Sequence, residues 1–277
     1  MANLSKLESR PFEFKTVVIT GAGSGLGKAL AHQFATQGWQ LVLSDSNLES
    51  VNETLAEVKG QGATAIAAKA DVTNTDELAT LRQQAFESFK GIDVLINNAG
   101  VSAGGEFDTV DRATLDWAFN INFFGVVNGY QAFAQDLKQC SRAHVVNIAS
   151  FAAIANPPAS GAYNASKAAV VSFSETIRGE LAYSPVGVSV VCPSFFRTNL
   201  LKDLRSNEDK VKKVASKLMD KSPLNADDIA KIIYQSVMDN RFKVIPHKDS
   251  TMHDRIKRWF PEFFFNKIKK MTRYLVD

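Results

Sequence analysis

Val17-Val18-Ile19-Thr20-Gly21-Ala22-Gly23-Ser24-Gly25-Leu26-Gly27 is the stretch on which the fold turns. A short apolar run ends in a glycine-rich turn and passes into a helical pattern that reaches Gln37. Glycines permit the tight turn and let the backbone approach a pyrophosphate. The free amides and the helix dipole then hold the anion. The candidate anion ligands are Gly21, Ser24, Gly25, Leu26 and Gly27. A lone glycine-rich run could equally be a structural turn. Its weight comes from standing between the first strand and the first helix of an alternating pattern.

That alternation continues along the chain. Gln40–Leu43 precedes a helix ending near Lys59-Gly60, Ala63–Ala68 is a weak strand candidate, and Asp76–Phe89 is a clear helix. Ile92–Ile96 is a strand, 111–138 a long helix, and His144–Ile148 a strand. A helix over 160–182, the strand Val188–Val191 and a last strand at Phe242–Ile245 follow. Continuous apolar strands joined by helices imply a parallel sheet covered on both faces. The predicted class is α/β: a doubly wound, Rossmann-type sheet of seven strands, with ligands at the carboxyl ends of the strands. We divide the chain into an extension (1–14), one domain (15–247) and a C-terminal helical tail (248–277).

Asp45 follows the second strand, about 20 residues beyond the loop, where an acid can bind the adenosine ribose hydroxyls. It would repel a 2′-phosphate, and no Lys or Arg stands in Ser44-Asp45-Ser46 or between Gly21 and Gly27 to neutralise one. NAD(H) is therefore favoured over NADP(H). The competing reading makes Asp45 or Ser46 the N-cap of the helix that begins at Leu48.

Tyr163 and Lys167, in Tyr-Asn-Ala-Ser-Lys, share one face of the 160–182 helix, with Ser150 thirteen residues upstream of the tyrosine. A free phenol has a pKa of about 10, too high for a useful base at neutral pH. A nearby ammonium favours the phenolate, so the pair could exchange a proton with an alcohol.

Taken together these residues resemble the short-chain dehydrogenase/reductases. The matching elements are Thr20-Gly-x-x-x-Gly-x-Gly27, Asp71-Val72, Asn97-Asn98-Ala99-Gly100, Asn122, Ser150 and Tyr163-x-x-x-Lys167, in family order and spacing over 16 to about 200. The resemblance implies an oxidoreductase moving a hydride between NAD(H) and an alcohol or ketone. In it Tyr163 is the general acid/base, Ser150 holds the substrate oxygen, and Lys167 tunes the phenol and binds the nicotinamide ribose. Asn122 holds a water in a proton relay. Asp71 binds the adenine amino group, with Val72 beside it, while Asn98, Ala99 and Gly100 line the cofactor. Pro193-Ser194-Phe195-Phe196-Arg197-Thr198 resembles a Pro-Gly-x-x-x-Thr segment. Pro193, Phe196 and Thr198 would face the cofactor and Phe195 the substrate. Ser194 departs from the family's glycine, and a positive φ there would be strained. The stretch 199–222 corresponds to a substrate lid. Its Leu200, Leu201, Leu204, Val211, Val214, Leu218 and Met219 point to an apolar substrate or to core packing. The family also pairs its long helices into dimers or tetramers. The rivals are an NADPH-dependent carbonyl reductase and a non-catalytic dinucleotide-binding regulator or scaffold. The intact Asn122, Ser150, Tyr163 and Lys167 argue against the latter.

Composition bounds the rest. Two cysteines, Cys140 and Cys192, imply a reduced, cytoplasmic setting and small core residues. Four scattered histidines provide no metal-ligand spacing. The first residues lack a signal-peptide pattern, and no run of eighteen apolar residues exists to span a membrane. Residues 241–277 hold ten Lys/Arg against four Asp/Glu, a net of +6, which leaves −3 for the first 240 residues of a chain totalling +3. Nucleic-acid binding by the body therefore has no electrostatic support. In the tail, Met252, Ile256, Trp259, Phe260, Phe263, Phe264, Ile268 and Met271 recur at helical spacing among basic residues, with Pro261 starting a second helix. The stripe could pack on its own domain, on a partner subunit or on an anionic membrane. Packing is the usual meaning of such a stripe and is preferred.

Overall fold

In the computed structural model, residues 10–197, 204–205 and 209–273 are described. Seven strands form one parallel sheet: β1 (Thr16–Thr20), β2 (Gln40–Asp45), β3 (Ala65–Lys69), β4 (Val94–Asn97), β5 (Ala143–Ile148), β6 (Val186–Val191) and β7 (Lys243–Val244). Their order is β3-β2-β1-β4-β5-β6-β7, and every pairing is parallel. The chain leaves β1 towards β2 on one side and later inserts β4 on the other. This opens a crevice above the carboxyl ends of β1 and β4, where doubly wound sheets bind ligands.

Both faces of the sheet are covered. Val17 and Ile19 point to one side with Leu41, Leu43 and Ile96, against Leu30 and Phe34 of α1 (Gly25–Thr36) and Ile229 and Ile233 of α9 (Ala226–Met238). Val18, Val42, Leu95 and Val145 point to the other, against Leu78 and Leu81 of α3 (Thr75–Phe89) and Phe133 and Leu137 of α5 (Gly125–Gln139). The period-2 alternation of a strand thus feeds two cores at once.

Side chains of the connections set where helices begin. Asn47 accepts from the Ser50 N–H and caps α2 (Leu48–Gly60), so the competing reading of Asp45 or Ser46 as that cap does not hold. Asn74 caps α3, Asp111 caps α4 (Arg112–Phe119), and Asn225 forms a capping box with Asp228 on α9. The expected long helix over 111–138 is divided. A π-helical turn, Asn120–Phe124, separates α4 from α5. Such turns are frequent at functional sites. The remaining helices are α6 (Ala152–Ala155), α7 (Gly161–Glu180), α8 (Asp209–Asp220), α10 (Lys248–Trp259) and α11 (Pro261–Thr272), the last with Pro261 at its start as expected. Cys140 and Cys192 are buried, and burial pushes both thiols up to about 12.

Candidate active site

The glycine loop is held by the end of β4. Thr20 Oγ1 accepts from the N–H groups of Asn98 (3.0 Å) and Ala99 (3.2 Å). Asn98 Nδ2 donates to the carbonyls of Thr20 (2.9 Å) and Gly21 (3.0 Å). Gly21 has φ +64°, and a Cβ there would stand 2.8 Å from Ala99 Cα. A Cβ on Gly27 would meet Gly21 O at 2.0 Å. Both glycines are therefore required by the loop's own packing, besides any ligand.

At the helix start, Ser24 is extended (φ −157°, ψ 173°), its side chain caps nothing, and the first turn holds no acid. Helices α2, α3, α4 and α9 are each closed by an Asn or Asp side chain. The first-turn amides of α1 are left for an external acceptor, which fits a dinucleotide pyrophosphate. Asp45 stands at the end of β2. Its Oδ2 accepts from Gly23 N at 3.0 Å and its Oδ1 from Asn47 N at 3.0 Å, so the carboxylate braces the loop. Asp71 accepts from the Thr73 N–H (2.9 Å) and hydroxyl (2.8 Å), while its own N–H donates to Glu77. Val72 is buried, and its carbonyl accepts from Asn128 at 3.0 Å.

Further along the sheet edge, four side chains converge. Asn122 lies on the π turn, fully buried; its Oδ1 accepts from Val101 N (2.8 Å) and its Nδ2 donates to Val101 O (3.0 Å) and Ser166 Oγ (3.1 Å). Ser166 in turn donates to Tyr163 O at 2.9 Å. Lys167, 4% exposed, donates to Ile148 O at 2.9 Å. A Cβ on Gly100 would come within 3.0 Å of Asn122 Oδ1 and 3.1 Å of Lys167 Nζ, so Gly100 sits between them. Ser150, just beyond β5, accepts from Ala152 N at 3.1 Å and shares a hydrogen bond with the Tyr163 phenol.

Electrostatics here differ from the expectation in one respect. Burial pushes the Tyr163 phenol above its usual value, and the bond with Ser150 pulls it back only part of the way. Burial also lowers the Lys167 ammonium to about 8. Desolvation governs the phenol, and the opposing pull comes from Ser150 rather than from the Lys167 charge expected to depress it.

The segment after β6 behaves unlike its family pattern. Ser194 is not among the positive-φ residues, so it carries no such strain. Its N–H donates to His247 Nδ1 at 3.3 Å, and His247 Nε2 reaches Ser222 Oγ at 3.3 Å. Ser222 donates onward to Leu224 O at 2.9 Å, which fixes a neutral imidazole donating from Nε2. His247 was absent from the sequence reading, as was Ser166. Neither has a local signature, because each acts through partners distant in the chain or through a turn of helix. Pro193 is buried and its carbonyl accepts from Phe151 N at 2.8 Å. Phe195 is 41% exposed, whereas Phe196 packs against the core beside α1 and α9. Thr198, Leu200 and Leu201 lie outside the described residues, as do the side chains of Val211 and Val214. Within the expected lid, Leu204 is half-buried, Met219 buried and Leu218 exposed. Arg205 bridges to Ala103 and lies over the Trp117 ring at 3.9 Å.

A family model described as short chain dehydrogenase matches residues 15–209. A diacetyl reductase [(S)-acetoin forming] of Staphylococcus epidermidis is 39% identical over 187 residues, 67% of this chain and 73% of that protein. The ketoacyl reductase HetN of Nostoc sp. is 31% identical over 273 residues, 94% of this chain and 93% of that one. Among solved structures, a short chain dehydrogenase/reductase from Burkholderia phymatum in complex with NAD superposes with a TM-score of 0.86 at 33% identity, covering 91% of this chain and 95% of that one.

Proposed function

The chain belongs to the short-chain dehydrogenase family and is an NAD(P)-dependent dehydrogenase/reductase; on that premise we propose that it interconverts an apolar secondary alcohol and its ketone using NAD(H). The observation that carries the proposal is the convergence of Ser150, Tyr163, Lys167 and Asn122 beside a glycine loop whose helix start is uncapped. The names of the two curated relatives both denote carbonyl reduction. When bound, the nicotinamide supplies the hydride acceptor or donor.

The chain's own residues do the rest. Gly21, Ser24, Gly25, Leu26 and Gly27 hold the pyrophosphate, and Asp45 exchanges its bond to Gly23 for the adenosine ribose. Asp71 and Val72 take the adenine, and Asn98, Ala99, Gly100, Pro193 and Phe196 flank the cofactor. Ser150 orients the substrate oxygen, and Tyr163 takes its proton in oxidation and returns it in reduction. Lys167 binds the nicotinamide ribose, and Asn122 ties α7 to the loop after β4. Holding reactants in this geometry accounts for much of the acceleration.

Tyr163→Phe is expected to lower kcat by about 10²–10⁴-fold while NADH binding, read by fluorescence titration, stays within a few-fold. Turnover close to wild type would remove Tyr163 from the reaction. The choice of NAD(H) rests on the Asp45 charge. Asp45→Asn keeps an acceptor for Gly23 N and removes the charge, so the ratio of NADPH to NADH affinity should rise about tenfold or more. An unchanged ratio would return the question to the NADPH reading. We carry over the family's pairing of α5 and α7 across a subunit interface as part of the proposal. A monomer in analytical ultracentrifugation at micromolar concentration would refute it.

A further inference from the structure

The C-terminal helices pack only part of the expected stripe: Phe264 is buried and Ile256 and Ile268 are half-buried, while Met252, Trp259, Phe260, Phe263 and Met271 are exposed. Their inner side is anchored: Phe264 is 3% exposed, and the His253 ring sits between Phe264 and Phe151. Lys267 bonds to His253, and Lys257 donates to Ile154 O on α6, the short helix that follows Ser150. The outer side is not covered. Trp259 (74% exposed), Phe260 (65%) and Phe263 (63%) form the corner where α10 turns into α11, with Met252, Phe265 and Met271 also exposed. Six of the twelve exposed large apolar side chains among the described residues fall between Met252 and Met271. Interleaved with them, Arg255, Arg258, Lys269 and Lys270 are exposed and make no ion pair among the described residues.

We propose that this corner docks the protein on an anionic lipid bilayer, with Trp259, Phe260 and Phe263 entering the headgroup boundary and the four unpaired cations facing acidic headgroups. Charge decides the occupant. Residues 241–277 net +6 and residues 1–240 net −3, so a second copy meeting this face through a two-fold axis would oppose like charges. A surface that is both apolar and anionic answers both features, and aromatic side chains with one wet edge favour that boundary. Each helix has twelve residues, about 18 Å of rise against a hydrocarbon core of about 30 Å, so the helices lie on the bilayer and do not cross it. No helix among the described residues is long and apolar enough to cross a membrane. Through His253 and Phe151 the docked face adjoins the residue after Ser150.

The test uses the full chain and vesicles of phosphatidylcholine alone or mixed with phosphatidylglycerol. Wild type should co-sediment with the mixed vesicles at least about tenfold more strongly than with phosphatidylcholine, and high salt should weaken it. Two variants, Trp259→Ser/Phe260→Ser/Phe263→Ser and Arg255→Gln/Arg258→Gln/Lys269→Gln/Lys270→Gln, should each lose about tenfold or more, with thermal midpoint and NADH binding kept. Absence of wild-type binding, or full binding by the aromatic variant, overturns the proposal. A fall in oligomeric mass of the aromatic variant, with no vesicle binding by wild type, assigns the corner to a second copy and overturns it too.

Discussion

Lys167 keeps an ammonium out of water with one carbonyl partner, Ile148 O at 2.9 Å. Burial lowers it from 10.5 to about 8, so the fold disfavours the charged form. Between those two values the unfolded chain binds more protons, and stability rises with pH across that window. Below pH 8 the penalty is fully present, on the order of 3 kcal/mol. Lys167→Met should therefore raise the thermal midpoint at pH 7 by several degrees and flatten the rise above pH 8, while turnover is lost. Melting curves from pH 7 to 10 check this; a lowered midpoint at pH 7 would show that the Ile148 bond outweighs desolvation. The same balance explains why the Tyr163–Lys167 spacing was legible while the phenol's shift was not. Spacing is local, but desolvation depends on everything packed around the ring.

At the scale of elements, the loop between β1 and α1 is over-determined. Gly27→Ala would place a Cβ 2.0 Å from Gly21 O and 2.6 Å from Asn98 Nδ2. The first neighbour is backbone and has no rotamer to yield. Destabilisation of about 1–3 kcal/mol is expected in urea titrations, with NADH binding weakened as the loop shifts. Gly60→Ala is the control, since nothing lies within 4 Å of its added Cβ; that variant should be neutral or more stable by up to about 1 kcal/mol. Equal effects at the two sites would mean the loop repacks freely. The glycine spacing could be read in advance because strand, turn and helix are adjacent in the chain. The π turn that carries Asn122 could not. Its Asn122 is held by Val101 and by Ser166, the latter on another helix. Nor could the tie between Ser194 and His247, which spans 53 residues.

The whole molecule carries its acid sensitivity in buried imidazoles. His144, 1% exposed between β4 and β6, bonds to Ser189 Oγ at 2.8 Å, and burial lowers it to about 3; His247 and His253 are lowered as well. Unfolded histidine titrates near 6.5, so below that pH the unfolded chain takes up protons that the fold refuses. The contribution of these imidazoles to stability is complete above about pH 6.5 and falls as acid is added. His144 alone should remove about 1 kcal/mol between pH 6 and pH 5. Urea unfolding at the two pH values tests this, and His144→Asn should flatten the difference by that amount. Asp93, raised by burial, works in the opposite sense as it titrates, which is why the comparison stops at pH 5.

Sequence by itself determined the alternation of strands and helices, the phosphate-type loop, and the Ser150, Tyr163 and Lys167 spacing. Each is written in residues close together along the chain, or in a repeating period. Tertiary structure alone decided that Asn47 caps α2, which leaves Asp45 to brace Gly23, and that Ser194 sits unstrained against His247. It also decided that burial governs Tyr163, and that of the tail's aromatic residues Phe264 turns inward while the corner at Trp259 stays open. These outcomes depend on what distant segments place beside a group. Desolvation and long-range pairing are properties of the packed chain, and no local pattern encodes them.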